Sequence, residues 1–175
     1  MRSNGTSRAL SFALAAGLIV FAFADGVARA DVTHISLPGQ AQGLAVAPNG
    51  HVLVGVRGNA TLREYSSDGA LIGSKSLPVY PWDVDVDSSG NIYVAGEKDL
   101  NILTVKYALN GDTLWQREFN GGSGDIGFDI QVDSLGNSYV SGVSGGLGIV
   151  LIKYDPSGNL LWLRNHTDVP FSVFS

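Results

Sequence analysis

One stretch of the sequence decides the fold, and it reads Asp133-Ser134-Leu135-Gly136-Asn137-Ser138-Tyr139-Val140-Ser141-Gly142. Forty-six residues earlier the chain has Asp87-Ser88-Ser89-Gly90-Asn91-Ile92-Tyr93-Val94-Ala95-Gly96. A looser copy runs from Ala47 to Gly55. Each copy joins a polar turn to a strand of alternating side chains. A repeat with a period of about 40 to 47 residues is typical of a propeller or a related array.

These turns lie within three larger units, each with four predicted strands. The units span about residues 39–77, 80–119 and 125–165. Residues 168–175 repeat the sequence from Asp125 onward at an offset of 43, so they begin a truncated fourth unit. Four strands per unit, without a helical period, predict an all-β chain: a partial β-propeller of four-stranded antiparallel blades.

The second and third units agree at several separate positions. Lys106-Tyr107 recurs 47 residues later as Lys153-Tyr154, and Leu114-Trp115 recurs at the same offset as Leu161-Trp162. The first unit has no tryptophan after Leu71-Ile72. A residue that recurs in a repeat is more often scaffold than site. We therefore interpret each tryptophan as a cover for the neighbouring blade, and each lysine as a scaffold residue that can protect an exposed strand edge.

Residues 1–30 have the layout of a secretory signal peptide. Arg2 and Arg8 give a positive start, Leu10 to Ala24 is an apolar run without a charge, and Ala28-Arg29-Ala30 is a cleavage site. The mature chain, residues 31–175, is then exported to the periplasm, the cell surface or the medium. The apolar run is shorter than the roughly 20 residues of a membrane span, so no membrane contact is expected after cleavage.

The charge of the mature chain excludes two classes of partner. The net charge is −5, and removal of a leader with three arginines and one aspartate changes it to −7. Such a surface repels phosphate backbones and anionic lipids, so neither nucleic acid nor a membrane surface is an expected partner. The chain has no cysteine. Burial rather than disulfide bonding must therefore stabilise it.

The repeat resembles the SBBP repeat family of bacterial β-propellers. The resemblance rests on the pattern Asp-x-x-Gly-Asn-x-Tyr-Val-x-Gly, then Lys-Tyr, then Gly-x-Leu-Leu-Trp. Residues 125–165 match most closely and residues 82–119 nearly as well, whereas His51 and Leu53 depart from the pattern in the first unit. The resemblance implies an exported propeller and no particular activity.

Two short motifs match enzyme signatures in their residues but not in the secondary structure predicted around them. Gly122-x-Gly124-x-x-Gly127 matches a dinucleotide fingerprint, but that chemistry needs a helix where this sequence predicts a strand. Gly142-x-Ser144-x-Gly146 matches a nucleophile elbow, which needs a helix and a nearby histidine. The histidines are scattered, at His34, His51 and His166. We therefore expect no nucleotide cofactor and no serine triad.

Asp83, Asp85 and Asp87 alternate along the predicted inner strand of the second unit and so share one face. Three carboxylates on one face are candidate calcium ligands. A calcium loop needs glycine at its sixth position, however, and the sixth residue counted from Asp83 is Ser88. Asp87 and Asp133 are better explained as turn residues that accept backbone N–H groups. No metal site is assigned.

The spacing of Gly111 and Trp115, repeated at Gly158 and Trp162, is similar to the tryptophan-docking motif of quinoprotein propellers. A quinone would need acidic and basic side chains converging on the channel, and the sequence identifies none. No catalytic residue and no cofactor is therefore assigned.

The sequence favours a non-enzymatic binding scaffold that meets a protein or carbohydrate partner. Two alternatives stay open: a remnant of a calcium-dependent lactonase-like or lyase-like propeller enzyme, and a fragment without a function of its own. Three blades and the start of a fourth leave two apolar blade faces open, which is costly. We therefore expect one of three outcomes: a truncated copy of a longer propeller, self-association that closes the ring, or an array that stays open.

Overall fold

The computed structural model of the chain describes residues 39–167 and three short strands that precede them. These are β1 (Leu14–Ala15), β2 (Leu18–Phe21) and β3 (Thr33–Ser36), which pair in that order as an antiparallel sheet. The rest of the predicted leader, and the predicted start of a fourth blade at 168–175, lie outside the described residues. Within the described ranges, no helix has the length and apolarity needed to cross a membrane.

Twelve strands form three four-stranded antiparallel sheets, here called the first, second and third blades. The first contains β4 (Ala41–Val46), β5 (Val52–Val56), β6 (Thr61–Tyr65) and β7 (Leu71–Ser76), with a 3-10 turn at Arg57–Asn59. The second contains β8 (Tyr80–Val86), β9 (Ile92–Lys98), β10 (Asn101–Tyr107) and β11 (Thr113–Phe119). The third contains β12 (Asp125–Val132), β13 (Ser138–Ser144), β14 (Gly148–Tyr154) and β15 (Leu160–His166). The predicted blades are confirmed.

The first strands of the blades, β4, β8 and β12, lie side by side and are the inner strands. They all begin at one end of the molecule, here called the starting end. The opposite end, called the turn end, carries the Asp-x-x-Gly turns. Strand β12 begins three residues before the predicted Phe128, because the Asp125 N–H donates to the Leu100 carbonyl oxygen at 2.7 Å and holds the backbone extended from there.

The turns between inner and second strands follow the predicted chemistry. One oxygen of Asp87 accepts the N–H groups of Ser89 and Asn91, both at 2.9 Å. Asp133 repeats both bonds in the third blade, and Asp155 repeats them in the turn between β14 and β15. The prediction for Asp87 and Asp133 is therefore confirmed. Asp155 belongs to the same class and was not singled out.

Apolar side chains fill both blade-to-blade seams. Leu53 and Leu62 of the first blade share a core cluster with Val94 and Val105 of the second. The cluster of the next seam is richer in aromatic rings and contains the residues Tyr93, Ile102, Trp115, Val140, Ile152 and Tyr154. Burial of each large side chain contributes on the order of 2 kcal/mol, so these seams carry most of the stability of the array.

The two outward faces of the array differ. The outward face of the third blade is open, with Ile149 and Leu151 exposed by 42% and 39%. The outward face of the first blade is not, because Val54 and Val56 are fully buried there. The first blade therefore differs from the expectation of two open faces, because this face is buried.

Each inner strand carries one β-bulge near the starting end, at Gly43, Trp82 and Phe128. A glycine of the second strand lies beside each bulge. A Cβ on Gly96 would overlap the Tyr80 carbonyl oxygen, and Gly142 stands in the same relation to the third blade. The Val-x-Gly ending of the sequence repeat therefore leaves room for the bulge.

Candidate functional site

Trp115 fastens the second blade to the third. It is only 8% exposed, and its ring centroid lies 5.9 Å from that of Tyr154 and 6.1 Å from that of Tyr93. Its indole N–H donates to the Pro156 carbonyl oxygen at 3.1 Å. The interpretation of this tryptophan as a cover for the neighbouring blade is confirmed.

Lys106 is part of the same seam, and its predicted role at an exposed edge is wrong. The side chain is buried, and Nζ donates to the Pro156 carbonyl oxygen at 3.1 Å. The ammonium also lies 3.9 Å from Asp87 Oδ2 and 4.8 Å from the centroid of the Tyr93 ring. A buried lysine is tolerated when its charge has such partners.

The row of aspartates joins the inner strands of two blades. Asp83 Oδ2 accepts the Ile130 N–H at 3.0 Å, and Asp85 Oδ2 accepts the Val132 N–H at 2.7 Å. Asp87 belongs to the turn already described. In the part of the chain that the structure describes, no group of three or more acidic, histidine or cysteine side chains is placed to hold a metal ion. The geometry of the row supports a structural role.

Asp83 and Asp129 form a carboxyl pair at the inner strands. Burial is the main reason why the pKa of Asp83 is raised to about 7. The hydrogen bond from the Ile130 N–H lowers the pKa of Asp83, whereas the neighbouring Asp129 carboxyl raises it further. Two carboxyl groups in contact share a proton more readily than they carry two negative charges.

The free energy of unfolding is expected to fall as the pH rises from about 4 to about 7, and Asp83→Asn is expected to flatten this slope. In that range folded Asp83 binds its proton more tightly than the unfolded chain does, so stability is lost as pH rises through the folded pKa. Urea titrations at several pH values measure the slope. Equal slopes for the two proteins would contradict the assignment.

Asp133→Asn serves as the comparison for that experiment. The Asn137 side chain is the first of the hydrogen bonds that lower the pKa of Asp133 to about 2. The stability that this carboxylate contributes is present above about pH 4 and is lost as the pH falls. The substitution should therefore change how the free energy of unfolding varies with pH below about pH 4. It should leave the slope between about pH 4 and about pH 7 unchanged.

A cleft of about 420 Å³ opens at the starting end between the first and second blades. Arg57 reaches it from the 3-10 turn after β5, Tyr80 from the first residue of β8, and Glu97 from the end of β9. We call it the Arg57 cleft, and its lining residues are Gly39, Gln40, Arg57, Gly58, Tyr80 and Glu97.

The Arg57 cleft combines a compensated charge with an exposed ring. Arg57 Nη2 donates to Glu97 Oε2 at 3.3 Å, and the guanidinium carbon lies 4.5 Å from the centroid of the Trp82 ring. Tyr80 is 53% exposed. Among the described residues, the buried donors Arg57 Nε and Trp82 Nε1 have no hydrogen-bond partner. The arrangement suits a ligand with a face for the Tyr80 ring and polar groups for the Arg57–Glu97 pair.

Sequence reasoning missed Arg57, Tyr80 and Glu97. None of the three recurs at the matching position of another unit. That uniqueness is the one signal that points to them, because a repeated residue is more often scaffold.

The other motifs do not converge on a site. The loop at Gly122 and Gly124 leads into strand β12, as predicted, and not into a helix. Ser144 ends β13 in the third blade, whereas His51 lies in the first blade with its Nδ1 2.7 Å from Glu64 Oε1.

No protein-family model matches the chain, and no curated protein matches it in sequence. Solved structures do match. BamB from Moraxella catarrhalis is similar with a TM-score of 0.60 at 13% identity, over 89% of this chain and 48% of that one. Virginiamycin B lyase from Staphylococcus aureus is similar with a TM-score of 0.64 at 16% identity. The similarity covers 85% of this chain and 48% of the lyase. A catalytically inactive form of that lyase with quinupristin is similar with a TM-score of 0.66 at 14% identity. The similarity covers 97% of this chain and 59% of that one.

These similar proteins are β-propellers, so the fold of this chain is a β-propeller. At such identities the similarity shows the fold alone. The chain spans about half the length of these three structures.

Proposed function

We propose that the chain is an exported β-propeller repeat protein of the SBBP type that acts as a binding scaffold for a protein or carbohydrate partner. The observation that carries the proposal is the Arg57 cleft. It is the place where residues outside the repeat pattern meet at the boundary of two blades. Export is supported by the signal-peptide layout of residues 1–30.

The chemistry of the cleft favours binding over turnover. Arg57 is already paired with Glu97, so the cleft offers a donor and an acceptor side by side and little net charge. Asp83 and Asp85, on the inner strand β8, accept the N–H groups of Ile130 and Val132 and so bind the next blade. The cleft can therefore hold a ligand through the paired groups of Arg57 and Glu97 and the exposed ring of Tyr80.

Retention on the immobilised full chain tests this proposal. Exported proteins and surface polysaccharides are passed over the wild-type chain, Arg57→Ala, Tyr80→Ala and Leu135→Ala. Leu135 is 76% exposed and lies in a turn at the opposite end, so its substitution is the control. We expect the two cleft variants to retain at least about tenfold less of a specific ligand, a loss of roughly 1.4 kcal/mol. The control should match the wild type.

The retained molecule is then released and its mass is compared with that of the same molecule never exposed to the chain. An unchanged mass is expected of a scaffold. A changed mass would replace the proposal with an enzymatic function. Equal retention by the cleft variants and the wild type would remove the Arg57 cleft as the binding site.

A further inference from the structure

The two blade-to-blade seams differ at one position. Trp115 is the third residue of β11, and the third residue of β7 is Gly73. Both strands show the same register shift just before that position, so the two residues occupy equivalent places in their blades. The first blade therefore lacks the ring that fastens the second blade to the third.

A groove of about 410 Å³ lies where that ring would be. We call it the indole groove. Leu53, Leu62, Ile92 and Leu109 give it apolar walls, with Glu64 and Lys75 among its polar lining. Leu109 is 61% exposed, so it offers apolar surface to solvent at the edge of the groove.

Two equivalent glycines show that the groove is empty. A Cβ on Gly158 would lie 2.7 Å from the ring of Trp115. A Cβ on Gly111, the matching residue of the second blade, would meet nothing within 4 Å. The turn is otherwise the same, since Gly111 N donates to Ala108 O at 2.8 Å just as Gly158 N donates to Asp155 O at 2.9 Å.

The two residues of the third blade that contact the Trp115 ring or its N–H have counterparts at or behind the groove. Because the two turns match, Leu109 holds the position of Pro156, whose carbonyl oxygen accepts the Trp115 indole N–H. Tyr107 holds the position of Tyr154, the ring that packs on Trp115. Lys75 Nζ lies 5.1 Å from the centroid of the Tyr107 ring. Tyr107 is only 1% exposed and does not line the groove itself. The groove thus has apolar walls, the Leu109 main chain at the place of Pro156, and space for a ring.

We infer that the indole groove binds the tryptophan side chain of a partner polypeptide. The groove is built like the seam in which Trp115 is bound, and β7 already fills the strand position, so the ring must enter from solvent. The polar rim suits the peptide groups on either side of such a side chain. The groove lies at the turn end, away from the Arg57 cleft, so the inference does not depend on the function proposed for that cleft.

Calorimetric titration of the full chain with N-acetyl-tryptophan amide tests the inference. We expect saturable binding, at least about tenfold weaker binding of N-acetyl-leucine amide, and several-fold weaker binding of the analogue methylated on the indole nitrogen. The methylated analogue fails because it has no donor for the Leu109 carbonyl. Equal affinity for all three compounds would overturn the inference.

Two variants of one residue locate the site. Gly73→Trp should fill the groove from within, raise the Tm and abolish the binding, whereas Gly73→Ala should bind like the wild type. Binding to Gly73→Trp with unchanged affinity would overturn the inference. The amide NMR shifts of Leu109 and Gly111 give a readout that does not depend on the folding of a variant. Shifts confined to other residues would count against the groove.

A second copy of the chain is the competing occupant, because Trp162 lies on the open face of the third blade. Sedimentation of the wild type and Trp162→Phe separates the two cases. A monomer that binds the tryptophan amide supports a partner polypeptide. Self-association that Trp162→Phe removes would overturn that assignment in favour of a second copy.

Discussion

Trp115→Ala is expected to lower the free energy of unfolding by about 3–5 kcal/mol, the usual cost of removing a buried tryptophan. The ring is 8% exposed, packs on Tyr93 and Tyr154, and makes the hydrogen bond to Pro156. Its loss leaves a cavity in the seam and removes one of the two donors, Trp115 and Lys106, of the Pro156 carbonyl oxygen. Urea denaturation followed by far-UV circular dichroism measures the effect.

Trp162→Ala is the matched control for this prediction. Trp162 occupies the same place in the third blade, is half-buried, and has Tyr139 as its aromatic neighbour at 6.1 Å. We expect this substitution to cost about 1 kcal/mol or less. Equal losses for the two variants would show that the contacts of Trp115 with the next blade are not what stabilises the seam.

Gly96→Ala is expected to cost about 3 kcal/mol, at the upper end of what overpacking costs. The added Cβ would overlap the Tyr80 carbonyl oxygen and lie 2.8 Å from Val79 Cγ2. The overlap with backbone cannot be relieved by a rotamer change, so the β8 bulge must shift. Thermal unfolding of the purified variant checks the prediction.

Gly73→Ala provides the comparison, because it adds the same methyl group where nothing lies within 4 Å. It should be neutral within about 0.5 kcal/mol, as expected for an open position. If Gly96→Ala were as stable as Gly73→Ala, the glycine would not be required by the bulge.

The parts of the fold that depend on nearby residues were predictable from the sequence. Asp87 and Asp133 bond to groups two and four residues away, so the turn motif contains both partners. The three four-stranded antiparallel blades followed from the repeat, because each unit contains all four of its own strands. The alternation of side chains along β8 also placed Asp83 and Asp85 on one face. It did not show that their carboxylates accept N–H groups of the next inner strand, β12.

The parts that depend on distant residues were not predictable. The acceptor of Lys106 lies 50 residues further along the chain, so a strand-end lysine gave no sign of its burial. The Arg57 cleft is formed by residues of two blades, and these residues have no counterparts in the other units. A comparison between repeats therefore does not identify them. The missing tryptophan after Ile72 was visible in the sequence, but the groove that it leaves requires the neighbouring blade.

The seam between the second and third blades also affects how the sequence can evolve. Lys106, Trp115 and Arg117 donate to main-chain carbonyl oxygens of the third blade, and Asp83 and Asp85 accept from its main-chain N–H groups. One partner in each of these bonds is a group that every residue type supplies, apart from the N–H of proline. Apart from Gly158, where a Cβ would meet the Trp115 ring, the third blade can therefore change its side chains at these positions and keep the bonds. A duplicated unit of this kind can join the array in the same orientation without matching mutations on both sides of the new boundary.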